Sequence, residues 1–217
     1  MTPVRIIDLR AEQTPRKGDH RLRMGKPVVR RPADVTSLCV HQTACIFGPL
    51  AKPEVRYRRA LDIASHATAF RDGVGVLQTP VLWYVNGGGP INRSAIHLEG
   101  EGHYAGTPDE PSTPQREDIR STWGGKPTPL DEPALATLCV TAATMIELAR
   151  GEGCPIEWVY AHRQFEASRR SDPGHEIWRD FVLGFCVGRL GLKTRPDYTL
   201  GDGRAIPASW GEGTARY

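Results

Sequence analysis

Residues 131–153, DEPALATLCVTAATMIELARGEG, constrain the fold more than any other stretch. An acidic start, apolar spacing throughout and a glycine stop predict one long helix. Around it lie strand-like segments: VRIIDL near the N-terminus, VTSLCVHQTA at 35–44, two short strands about the turn RDG within 66–78, then VLWYV, SAIHLEG and IEWVYAH. KPEVRYRRALDIASHA reads as a helix with Pro53 as its first residue, and HEIWRDFVLGFCVGRLG as a last amphipathic helix. Strands interspersed with helices predict an α/β domain, a single mixed sheet flanked by helices.

The chain has 217 residues, 39% of them hydrophobic, enough for one domain with a single core. The expected division is an N-terminal extension over 1–34, the main domain over 35–192 and a Gly- and Pro-rich tail over 193–217. Residues 106–133, rich in proline and charge, read as a long loop, either a functional lip or an insertion. A net charge of +3 is too small to argue for nucleic acid. The basic block RKGDHRLRMGKPVVRR at 16–31 reads as a solvated arm or as a contact for an anionic polymer. No apolar run predicts a membrane span, and MTPVRIIDLRAEQ lacks the order of a signal peptide, so synthesis in the cytoplasm is expected. The five cysteines form no CxxC pair and are odd in number, which argues for reduced, buried thiols over a zinc ribbon or a full disulfide framework. A monomer is expected.

The chemistry concentrates in AHRQFEASRRSDPG at 161–174. It holds His162, Asp172 and, two residues before that aspartate, Arg170, with Asp-Pro-Gly setting a turn. These residues make a salt-bridged surface loop or two ligands of a metal site that needs a third. His41, ending the strand SLCVHQTA, is the best candidate, but His20, His66, His97, His103 and His175 are equally available by composition.

The ordered set VHQTA, HATAFRDGVGVLQ, NRSAIHLEGEG, a helix and AHRQFEASRRSDPG resembles the zinc-dependent N-acetylmuramoyl-L-alanine amidases, the superfamily of amidase-type phage lysozymes and peptidoglycan recognition proteins. The likeness spans about residues 35–185. It implies that family's fold, a Zn2+ cofactor held by His41, His162 and Asp172, and Glu99 as catalytic carboxylate, with Glu101 as competitor. Arg170 stands where many members have lysine; it serves as a cation over the oxyanion or as a plain ion pair with Asp172. Ser65 replaces a frequent tyrosine. His66 matches a histidine of phage members and is expected either in the substrate cleft or as a buried structural residue; His97, where glycine is usual, shares a strand face with Glu99 and is expected in the cleft. The implied activity is hydrolysis of the amide between N-acetylmuramic acid and the stem-peptide L-alanine, as a phage-type endolysin acting on the cell wall after release. A cytoplasmic amidase recycling soluble anhydromuropeptides, or a module binding muropeptides without cutting them, are the alternatives. Retention of all three ligands and the glutamate argues for an enzyme.

Overall fold

The structure, a computed structural model, describes residues 3–48, 52–110 and 127–217. Most of the predicted elements form. The strands are β1 (Arg5–Asp8), β2 (Leu22–Arg23), β3 (Lys26–Pro27), β4 (Ser37–Gln42), β5 (Ala67–Ala69), β6 (Val74–Leu77), β7 (Ala95–Gly100) and β8 (Trp158–Ala161). Six of them make one mixed sheet in the order β1-β6-β5-β7-β4-β8, and β2 and β3 form a separate hairpin. Within the large sheet only β5 and β6 run antiparallel, joined by the RDG turn; the other neighbours are parallel.

Strand alternation divides the sheet chemically. Leu38 and Val40 of β4, Ile96 and Leu98 of β7, and Val159 and Ala161 of β8 join one core. Against it pack the 20-residue helix α2 (Glu132–Gly151, the second helix after α1, Pro53–Arg58) and a helix over Ile177–Val187. The Asp131 side chain caps α2 by accepting from the Ala134 N–H at 3.0 Å, replacing a partner the first turn lacks. This helix is long and apolar enough to cross a membrane, but it buries Leu135, Leu138, Met145 and Ile146 on the sheet. The opposite face carries Cys39 and His41 beside His97 and Glu99, in register across β4 and β7.

Two expectations change. The predicted helix at the end of the domain is a π-helix, with Gly188 N–H donating to Leu183 O five residues back. VLWYV is not a strand; Trp83 and Val85 make single bridges to Val29 and His20. Two of its carbonyls are taken by side chains, Val81 O by Arg30 Nη2 and Trp83 O by His66 Nε2, and Leu82 O accepts from the Arg30 backbone N–H in the Val29 bridge. The loop expected over 106–133 falls largely outside the described residues, which omit 111–126.

The terminal segments wrap onto the sheet. Residues 5–8 are its edge strand, and Arg30, from the basic block, is buried. In the tail, Trp210 is fully buried beneath the Arg163 guanidinium, and Arg216 pairs with the buried Asp180. All five cysteines are free and buried.

Arg30 holds a charge in the interior without a carboxylate partner among the described residues. Burial pulls its guanidinium down to about 10, still charged at neutral pH. Its Nη1 donates to Asn92 O and Ala95 O, and its Nη2 to Val81 O. Arg30→Ala leaves those carbonyls buried without a donor and should cost about 2–4 kcal/mol in urea unfolding. The exposed neighbour Arg31, whose ion pair among the described residues is with Asp34, should leave the urea midpoint close to the wild-type value as alanine. Equal effects would show that Arg30 is not the tie between the N-terminal segment and the sheet.

Candidate metal centre and cleft

The C-terminal ends of β4 and β8 bring the two histidines together. β4 and β8 are parallel neighbours, so His41 at the end of one lies beside His162, which follows the other. Their Nδ1 atoms are 2.9 Å apart, and His162 Nδ1 lies 3.0 Å from Asp172 Oδ2. The donor atoms of His41, His162 and Asp172 all fall within 4.8 Å of one another, and all three residues are buried. Two of the other histidines are placed elsewhere: His20 Nδ1 accepts from Arg16 N–H, and His175 Nδ1 donates to Ala105 O.

Gln42, next to His41, clamps the turn that supplies Asp172. Its backbone N–H donates to Asp172 Oδ1 at 2.9 Å; its side chain donates to Ser171 O and Tyr104 O and accepts from Tyr104 N–H. Gly174 closes the turn at φ +103°, where a Cβ would come within 2.4 Å of the Tyr104 Cβ. Asp172 Oδ2 is thereby aimed at His162.

Each histidine also has a partner on its other nitrogen. His162 Nε2 faces Glu166 Oε2 at 3.2 Å, and His41 Nε2 faces His97 Nδ1 at 2.9 Å. Burial opposes charge on His162, yet Asp172 and Glu166 outweigh it and raise the imidazole to about 9; bonds from His162 and Ser168 hold Glu166 down at about 2. For His41, burial and its histidine neighbours push the pKa well below the ordinary value. Glu166 was not foreseen, although it lies four residues after His162, a spacing that one helical turn makes adjacent.

A cleft of about 420 Å³ opens above this cluster, lined by Glu99, His162 and Asp172 with Phe47, Arg59, Asn86 and Arg169 among its walls. Glu99 Oε2 is buried and has no hydrogen-bond partner among the described residues. Burial, then the Asp172 carboxylate, pushes Glu99 up to about 8. Glu101, its competitor, is fully engaged: it accepts from Arg56 and from the backbone N–H groups of Phe47 and Arg71. The cation lining the cleft from the RRSDPG segment is Arg169; Arg170 is not among the lining residues, and its carbonyl accepts from Arg163. His66 and His97 are buried and do not line the cleft either; they lie behind His41.

A second group, Cys39, His41 and His97, is as compact. Burial raises the Cys39 thiol well above its ordinary value, and a protonated thiol is a poor ligand. The facing nitrogens of His41 and His97 already satisfy each other.

No protein-family model matches the chain, and no curated protein matches it. Among solved structures it is similar to the endolysin N-acetylmuramoyl-L-alanine amidase LysCS from Clostridium intestinale URNW, at 12% identity and a TM-score of 0.46, covering 88% of this chain and 98% of that one. It is also similar to the Ph2119 endolysin from Thermus scotoductus MAT2119 bacteriophage Ph2119, at 18% identity and 0.45, covering 78% and 92%, and to PlyL, at 16% identity and 0.44, covering 88% and 93%.

The setting of Glu99 has a measurable sign. Its folded-state value of about 8 lies above the ordinary 4.5. Between those values the folded chain keeps a proton that the unfolded chain has released, so stability falls as pH rises through that window. Glu99→Gln removes the dependence. In chelator, the variant's urea midpoint should gain on the wild type as pH is raised from about 5 to about 8. A constant gap would mean that the carboxylate is not desolvated.

Proposed function

We propose that this chain is a zinc-dependent N-acetylmuramoyl-L-alanine amidase that cuts peptidoglycan between N-acetylmuramic acid and the stem-peptide L-alanine, as an endolysin does. The observation that carries this reading is the convergence of His41 Nδ1, His162 Nδ1 and Asp172 Oδ2 beside an unpartnered Glu99 at one cleft. Two imidazoles and a carboxylate suit zinc, and three protein donors are the usual complement of a catalytic site. When bound there, zinc supplies a Lewis acid that polarises a carbonyl and acidifies water.

The chain's own residues do the rest. Burial and the Asp172 carboxylate keep Glu99 protonated in the bare site; a cation held by His41, His162 and Asp172 would offset that charge and leave Glu99 ionised. Its Oε2 then takes the proton from the attacking water and returns it to the leaving amine, general acid–base work that needs a carboxyl group free of other partners. Glu101, locked to Arg56, is not free in this way. Arg169 at the cleft offers positive charge to the developing oxyanion. Gln42 and Glu166 hold Asp172 and His162 in orientation. The catalytic unit lies in residues 35–192, and the segments 1–34 and 193–217 complete its packing.

Protein purified without added metal should hold about one zinc ion per chain, and chelation should abolish hydrolysis of sacculi. Digestion of sacculi and of soluble anhydromuropeptides side by side, with products identified by mass, separates wall lysis from muropeptide recycling. Intact substrate in both would leave the binding module. Glu99→Ala should retain zinc and lose at least about a hundredfold in turnover, with Glu101→Ala acting through stability instead. Arg169→Ala should lower turnover by about tenfold, less than a buried oxyanion donor because its charge is partly in solvent, and Arg170→Ala should change it by less than about twofold. The reverse order would return the cation's role to Arg170.

A further inference from the structure

Behind His41 lies a buried polar stack that the proposed mechanism leaves unused. The rings of His66 and His97 are nearly parallel, 13° apart with centroids 5.6 Å apart. His66 Nδ1 accepts from the His97 backbone N–H at 3.0 Å, so this ring carries its proton on Nε2, which donates to Trp83 O at 3.1 Å. The buried Arg30 guanidinium lies 3.1 Å from the same Nε2. On its other side the His97 ring meets the backbone of Gly87 and Gly88; a Cβ on Gly88 would lie 2.9 Å from the His97 Cε1. The His97 ring is thus held in a slot, with Nδ1 against His41 Nε2.

We propose that His97 is a positioning residue: it accepts a hydrogen bond from His41 Nε2 and so turns His41 Nδ1, as a lone pair, toward His162 and Asp172. The inference rests on the metal site read above. It follows from the geometry. His41 Nδ1 lies 2.9 Å from His162 Nδ1, inside the cluster shared with Asp172, so a His41 that offers its Nδ1 lone pair there carries its proton on Nε2. The atom facing that Nε2, at 2.9 Å, is His97 Nδ1, which then accepts. In the opposite tautomer His41 would present an N–H to the other ligands and could not bind a cation there. Arg30, donating to Ala95 O and Val81 O, braces the same region from the N-terminal segment.

The test uses the full chain with 15N-labelled histidine. Long-range 1H–15N NMR in chelator should show His41 protonated on Nε2 and bare on Nδ1; this reading needs no variant to fold. His97→Phe, which keeps a ring in the slot but no acceptor, should mix the His41 tautomers and weaken zinc binding by about 10–100-fold in competition with a chromophoric chelator. His97→Asn places an amide oxygen near the lost Nδ1 and should restore affinity to near the wild-type value. His41 protonated on Nδ1 in the wild type, a His97→Phe protein with unchanged affinity, or a His97→Asn protein as weak as His97→Phe would each overturn the inference. A wild-type chain with His41 in the Nε2–H form that binds no zinc would refute the metal reading and leave the positioning role standing.

Discussion

The parallel register of β4 between β7 and β8 is the constraint on which the site depends. It sets His41 opposite Glu99 and places the end of β8, hence His162, beside His41. Because strand side chains alternate, the same register sends Leu38 and Val40 into the core under α2. A shift of one residue would bury His41 against that helix and turn Val40 to the cleft. Core packing and site geometry are thus one choice, enforced by the apolar face.

That choice leaves polar groups in the interior, and the fold satisfies most of them locally. An unpaired buried donor or acceptor costs about 1–3 kcal/mol, so the partners are found in neighbouring loops. Gln42 binds two carbonyls and a backbone N–H, and Gln164 donates to Arg195 O and Tyr198 O while accepting from Ala161 N–H. Exceptions among the described residues include Glu99 Oε2 at the cleft and His97 Nε2 behind His41, as well as the Gln78 side chain and Thr141 Oγ1.

The terminal segments belong to this economy of polar groups. Arg30 reaches from the basic block to carbonyls near β7, and the tail carries Trp210 under Arg163 and Arg216 to Asp180. Asp180 is wholly buried; burial disfavours its charge, but hydrogen bonds from Arg179 and Arg216 outweigh that and keep its pKa lowered. The tail thus braces the site loop 162–174 through Trp210 beneath Arg163, and the N-terminal segment braces β7 through Arg30.

By itself the sequence determined the element types and the chemistry on offer. Periodicity marked α2 and β4, because alternating and helical burial leave different apolar patterns, and the resemblance of VHQTA and SRRSDPG to amidase blocks selected His41, His162 and Asp172 from seven histidines and many acids. Only the tertiary structure decided what each polar residue faces. It separated Glu99 from Glu101 by giving the latter to Arg56, put Arg169 instead of Arg170 at the cleft, and moved His66 and His97 from the cleft to positions behind His41. It also drew Arg30 out of a run that reads as surface charge and made a partner of Glu166. The physical reason is that local pattern reports which face is apolar, whereas hydrogen-bond partners of a polar side chain come from segments distant in the chain; Arg30 to Ala95 and His41 to His97 are 65 and 56 residues apart.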